Sequence, residues 1–275
     1  MTDGTTSSGI DAIAEAFARA RANGRSAALM PYLMGGFPDL DISREIGLAY
    51  ARGGADLVEL GVPFSDPLAD GPVIHAAATA ALRAGATLEA VLKVAGAIAA
   101  EVPVILMCYA NPILIRGRER FADALVAAGV SGLIVPDLPL EEAADVREAC
   151  RARGLALVPL AAPTTPADRL ERIGACASGF LYTVSLTGTT GERAAVDGGL
   201  AEVIARAAAH TAVPVAVGFG ISTPQQAVAA AAAGAQGVII GSRLVRAAAE
   251  SADPPAAVQE LVRGFSTALS GAALG

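Results

Sequence analysis

A single carboxylate interrupts an apolar run at residues 56–62: Glu59, within Asp-Leu-Val-Glu-Leu-Gly-Val. In an extended segment Leu57 and Glu59 share one face, and Val58 and Leu60 share the other. A carboxyl held among apolar neighbours loses solvation, so its pKa rises. Such a group can give and take a proton near neutral pH. Two further acids, Asp66 and Asp70, follow in a segment that also holds Pro63, Pro67, Gly71 and Pro72. The prolines restrict the backbone and can fix where the acids stand. Spacing leaves Asp66 and Asp70 each open between a chemical role and a solvated loop charge.

A second kind of chemistry is written in glycines. Gly218-Phe219-Gly220-Ile221-Ser222 and Gly241-Ser242-Arg243 each end an apolar run. Glycine lets a backbone approach an anion, and N–H groups opening a helix attract a phosphate. Two tight turns would look the same. Residues 185–193 are long, polar and Gly-rich, which suits a lid or an ordinary surface loop. There is no Ser-His-Asp order, no P-loop and no Cys/His spacing for a metal. No metal site is therefore expected. His75 and His210 stand alone, and Cys108, Cys150 and Cys176 are expected as reduced core thiols.

These residues need a scaffold, and the pattern of the chain supplies one. Eight short apolar runs occur at 28–34, 56–62, 104–109, 132–136, 155–160, 179–185, 215–219 and 237–240. Several lack polar alternation, as parallel strands covered on both faces do. Ala-rich stretches of helical period lie between them. Thr165-Pro166 and Thr223-Pro224 read as an N-cap followed by a first-turn proline. Gly53-Gly54, Gly129, Gly154 and Gly234 read as helix ends. Eight such units without a break in composition predict a (β/α)₈ barrel of the TIM type rather than a doubly wound sheet. The absence of GxGxxG after the first run agrees. An extra helix over 10–21, with Ile10, Ile13, Phe17 and Ala20 on one face, reads either as a plug for the bottom of the barrel or simply as a packed terminal helix. Residues 1–275 read as one domain, with 1–9 and 270–275 as flexible ends. In such a barrel the active site lies at the C-terminal ends of the strands, where Glu59 and both glycine pairs fall.

Composition narrows the function further. The chain is 53% hydrophobic but 4% aromatic, with no Trp and a net charge of −7 spread along its length. The lack of a basic cluster argues against nucleic acid. The apolar runs are too short to span a membrane. The start of the chain has no signal-peptide pattern, so a cytoplasmic protein is expected.

The run Glu-Leu-Gly-Val-Pro-Phe-Ser-Asp-Pro-Leu-Ala-Asp-Gly-Pro at 59–72 resembles the signature of the tryptophan synthase alpha subunit family. The likeness extends to residues 31–38, Tyr109-Ala110-Asn111-Pro112, Pro136-Asp137-Leu138-Pro139, 179–191, 218–222 and Gly241-Ser242. It implies a lyase of tryptophan biosynthesis that cleaves indole-3-glycerol phosphate to indole and glyceraldehyde 3-phosphate. By the resemblance, Glu59 is the acid/base, and Asp70 binds the indole N–H and stabilises the charge on the protonated ring. Tyr32, Phe219 and Ile239 match the indole pocket, Tyr182 matches a substrate-binding tyrosine near the catalytic Glu, and Thr190 matches a lid residue that positions Asp70. Gly191, Gly220, Gly241 and Ser242 match the phosphate site. The resemblance also implies an αββα complex with a beta subunit that holds pyridoxal phosphate, and no cofactor in this chain. The partner surface would include Asp66, Tyr109, Asn111 and Pro112, with Tyr109 also at the pocket wall. Two positions depart from some members: Tyr32 stands where they have Phe, and Leu186 where they have a polar residue. A sugar-phosphate isomerase would share the glycine signal but leave Asp70 without a task. A non-catalytic subunit would leave both acids without one. A stand-alone lyase without a beta partner would keep the same chemistry.

Overall fold

A computed structural model of the chain describes residues 8–184, 199–218 and 220–271. Nine strand segments form one parallel sheet. They are β1 (Ala28–Met34), β2 (Val58–Gly61), β3 (Val104–Met107), β4 (Gly132–Ile134), β5 (Ala156–Val158), β6 (Leu160–Ala161), β7 (Leu181–Val184), β8 (Val215–Gly218) and β9 (Gly237–Ile240). Each of the eight expected runs contains a strand. The ninth segment arises because Pro159 divides the fifth run. Proline has no N–H to donate to a ladder. β5 pairs with β4, whereas β6 pairs with β7. The sheet order, β5-β4-β3-β2-β1-β9-β8-β7-β6, therefore has the two halves of one strand at its ends and closes as an eight-stranded barrel.

Helices fill the connections, and their ends follow local chemistry. Thr223 caps the helix Pro224–Ala232 through a capping box with Gln226. Gly54, Gly129, Gly154 and Gly234 all take positive φ at the expected helix ends. Thr165 differs from expectation. The N-cap of Ala167–Ala175 is Pro166, and the Thr165 hydroxyl instead accepts a hydrogen bond from Ala162 N at 2.9 Å. Two helices, Pro72–Arg83 and Leu88–Ala99, separate β2 from β3, and a short helix, Ala110–Arg116, follows β3 directly.

Alternation along the strands divides the core into two layers. Val58, Leu60, Leu106, Leu133 and Val217 pack outward against the helices. Met30, Leu57, Ile105, Ile134, Val158, Phe180 and Ala216 fill the barrel interior. Of the two readings of the first helix, the plug is the one observed: Gly9–Ala22 seals the base of that interior with its apolar face. Its Ile13 and Phe17 join the interior cluster, and Phe17 lies 6.1 Å from Phe180, ring to ring. Burying each of these side chains contributes about 2 kcal/mol.

A nearly buried ion pair ties the same end together. Arg25 Nη1 lies 2.5 Å from Asp56 Oδ2, and that oxygen also accepts from Leu29 N at 2.8 Å. The same guanidinium donates to Gly54 O and to Ser266 Oγ on the helix Pro254–Gly271. Removing one partner of a buried pair leaves an uncompensated charge. Asp56→Ala should therefore cost about 3 kcal/mol of stability, read as a lower urea midpoint at unchanged slope. A loss no larger than that of an exposed ion pair would show that water already screens this one.

Candidate active site

Glu59 enters the barrel because β2 alternates. It is 1% exposed and stands level with Tyr32 on β1 and Ile105 on β3. Burial pushes its carboxyl up to about 8, with a further push from the Asp70 charge. Its Oε2 has no hydrogen-bond partner among the described residues. At neutral pH Glu59 is therefore a protonated acid facing a cavity, with its chemistry uncommitted.

Asp70 reaches the same cavity from the segment after β2. The helix Pro72–Arg83 starts two residues later, with Pro72 in its first turn and Gly71 as its N-cap. That helix end favours a negative charge nearby. Asp70 is half-buried. Burial raises its pKa, and the Tyr109 hydroxyl and the charge of His75 pull it down. Tyr109, expected at the pocket wall and near the partner surface, is 3% exposed. Its hydroxyl accepts a hydrogen bond from Ala69 N at 3.1 Å and donates to Asp70. Its ring stacks on Phe64 at 5.1 Å. Tyr109 thus pins the acidic segment, forty residues away in sequence, from beneath. Asp137 in turn fixes the backbone after Tyr109 by accepting from Ala110 N at 2.9 Å. Sequence reasoning saw Asp137 only as part of a motif, and the positioning by Tyr109 and Asp137 needed tertiary contacts to find. Asp66 is exposed, and the neighbouring Ser65 hydroxyl donates to it.

The cavity is walled by Tyr32, Tyr182 and Ile239, which are 5%, 7% and 4% exposed. Two glycines make room for the tyrosines. A Cβ on Gly61 would stand 2.1 Å from the Tyr32 hydroxyl oxygen, and one on Gly218 would stand 2.4 Å from that of Tyr182. The cavity runs on to Gly220, Gly241 and Ser242. Ser242 opens the helix Ser242–Glu250, no side chain caps that helix, and the space beside the Gly241 Cα is open. Uncapped first-turn N–H groups beside an open cavity suit a phosphate. Arg243 also lines this end.

The structure thus brings Tyr32, Glu59, Asp70, Tyr182, Gly220, Ile239, Gly241 and Ser242 around one space. Asn111 lies outside it, exposed in the first turn of the helix Ala110–Arg116, with Pro112 half-buried beside it. Thr190, Gly191 and Phe219, and the possible lid at 185–193, lie outside the described residues. Cys108 and Cys150 are buried free thiols, whereas Cys176, expected in the core, is half-buried at a helix end on the cavity rim. Among the described residues no His, Cys, Asp and Glu cluster could hold a metal ion, and no helix is long and apolar enough to cross a membrane.

The comparisons with known proteins agree with this geometry. A family model described as tryptophan synthase alpha chain matches residues 17–270. The tryptophan synthase alpha chain of Prochlorococcus marinus (strain MIT 9313) is 49% identical over 244 residues, covering 87% of this chain and 88% of its own. That of Methanosarcina mazei is 46% identical over 239 residues, with 87% and 88% covered. Among solved structures, Mycobacterium tuberculosis tryptophan synthase superposes with a TM-score of 0.88 at 36% identity, covering 94% of this chain and 98% of that one. The tryptophan synthase α2β2 complex of Pyrococcus furiosus gives 0.83 at 36% identity, covering 88% and 98%.

Proposed function

The chain belongs to the tryptophan synthase alpha chain family, and from that premise we propose how its residues cleave indole-3-glycerol phosphate to indole and glyceraldehyde 3-phosphate. The observation that supports this most is a protonated, buried Glu59 sharing one cavity with Asp70. The Glu59 carboxyl gives its proton to C3 of the indole ring. Asp70 receives the ring N–H and offsets the positive charge that this protonation creates. The Glu59 carboxylate then takes the proton of the side-chain hydroxyl. The carbonyl of the aldehyde forms, the carbon–carbon bond breaks, and its electron pair returns to the ring. Glu59 ends as it began. Tyr32, Tyr182 and Ile239 bound the indole, with Phe219 assigned the same wall. Gly220, Gly241 and Ser242 hold the phosphate; the roles of Gly191 toward the phosphate and of Thr190 toward Asp70 rest on the family likeness, since both lie outside the described residues. Residues 1–275 act as one domain.

The mouth of the barrel also suits a beta subunit. Leu68, Leu114 and Ile115 are 85%, 55% and 79% exposed there, next to Asp66, Asn111 and Pro112. Large apolar side chains left exposed suit a surface that another protein covers. Under this reading the pyridoxal phosphate belongs to that partner, and the cleavage uses this chain's side chains alone, in the cytoplasm. Indole release from indole-3-glycerol phosphate, assayed with and without a tryptophan synthase beta subunit, tests both parts. Cleavage that the beta subunit accelerates is expected. Cleavage without stimulation or co-elution would establish a stand-alone lyase, and no cleavage in either mixture would overturn the reading.

A further inference from the structure

Arg243 follows Ser242 in the first turn of the helix Ser242–Glu250 and lines the phosphate end of the cavity. It is half-buried, so its guanidinium has given up part of its hydration. Among the described residues it has no carboxylate partner and no hydrogen bond. Its place adds a second cost. The start of a helix carries partial positive charge, and a cation in the first turn adds to it. No acidic residue stands in that turn. Elsewhere the fold answers such a cation from within. Arg118 opens the helix Arg118–Ala127, and its Nη2 lies 3.2 Å from Asp145 Oδ2. Arg169 lines the same cavity, and both arms of its guanidinium go to Glu141 at 3.1 Å. Arg147 also lines it, but on the helix Ala144–Arg151 after β4, across the barrel from β9. Among the described residues, Arg243 is therefore the cation that stands at the phosphate end without a counter-ion.

We propose that Arg243 is a substrate-binding residue whose guanidinium supplies the counter-ion of the substrate phosphate, beside the backbone N–H groups of Gly241 and Ser242. The inference rests on the phosphate site assigned above. A guanidinium can meet a phosphate with two parallel N–H donors. One bound anion then offsets both the helix end and the arginine, so a cost in the free protein becomes affinity in the complex. The phosphate keeps its charge throughout the cleavage, so the contact is alike before and during the reaction. It serves binding and leaves the chemical step alone.

The test compares Arg243→Gln, Arg243→Lys and Arg169→Gln in the full chain. Calorimetry with glycerol 3-phosphate reads the phosphate site, and indole release reads the reaction. In Arg243→Gln we expect the Kd for glycerol 3-phosphate and the KM for indole-3-glycerol phosphate each to rise about tenfold, with kcat within about twofold. Arg243→Lys, which keeps the charge without the fork, should fall between. Arg169→Gln should leave both values in place, because that guanidinium is committed to Glu141. Without ligand the Tm of Arg243→Gln should not fall, since no partner is lost. Glycerol 3-phosphate should raise the Tm of the wild type more than that of the variant. Indole, which has no phosphate, should bind both alike. An unchanged Kd and KM in Arg243→Gln overturns the role and leaves the assigned reaction standing. Equal weakening of indole and glycerol 3-phosphate overturns it too, as a general disturbance of the cavity. Weaker binding of glycerol 3-phosphate by the variant, beside a wild type that releases no indole, would support the counter-ion and overturn the assigned reaction.

Discussion

Glu59→Gln should abolish indole release, with kcat down about 10³-fold, while indole-3-glycerol phosphate still binds. Glutamine keeps the size and shape of the side chain but can neither give nor take a proton at the ring. The phosphate cradle at Gly241 and Ser242 and the walls at Tyr182 and Ile239 are untouched, so calorimetric affinity should change little. Substantial residual turnover would sink the acid–base role. The substitution should also stabilise the protein, and the sign follows from the direction of the pKa shift. Glu59 titrates near its usual 4.5 in the unfolded chain and near 8 in the fold. Between those values the unfolded chain has given up a proton that the folded chain keeps. Wild-type stability therefore falls as pH rises through that window. Glutamine lacks this dependence. The gap in Tm between variant and wild type should widen in the variant's favour from about pH 5 to pH 8, reaching a few kcal/mol of stability. A flat gap would mean that Glu59 titrates normally in the fold.

Asp70→Asn is the second large effect. Asparagine can still accept the indole N–H through its carbonyl oxygen, so substrate affinity should persist. It has no charge to set against the cationic ring, and that charge exists only after C3 is protonated. An interaction made only at that stage lowers kcat when it is removed. The expected fall is about 10²- to 10³-fold in kcat, with KM changed much less. Tyr109 can still donate to the asparagine oxygen, so the acidic segment should stay in place. A variant that lost affinity but kept kcat would show Asp70 to be an anchor for substrate rather than a counter-charge.

The legible and illegible parts of this molecule divide along a physical line. Alternation on β2 is a local property, and it was enough to place Glu59 inward and foretell its raised pKa. Apolar run lengths and glycine helix ends are local too, and eight strands followed from them. The break at Pro159 was not visible, because it matters only where one strand must pair with different neighbours on its two sides. Thr165 and Pro166 carried a valid cap signal, but the loop offered the Thr165 hydroxyl a nearer amide at Ala162. The work of Tyr109 was hidden for a similar reason, since its hydroxyl meets a segment forty residues earlier in the chain. The family likeness put it at the pocket wall and near a partner, but gave no sign of its stacking on Phe64. Asp70 could not be told from Asp66 by spacing; one is held half-buried by that phenol, and the other is left to solvent.

The helix that seals the base of the barrel has a consequence for traffic. With Ile13 and Phe17 packed at the lower ends of the strands, the described residues close that end of the vessel and leave the mouth open. The phosphorylated substrate, the aldehyde and the indole then pass through the mouth. A protein that receives the indole therefore has to sit over the aperture by which the substrate arrived. Entry and delivery then become successive uses of one doorway, and whichever molecule occupies it sets the order of events.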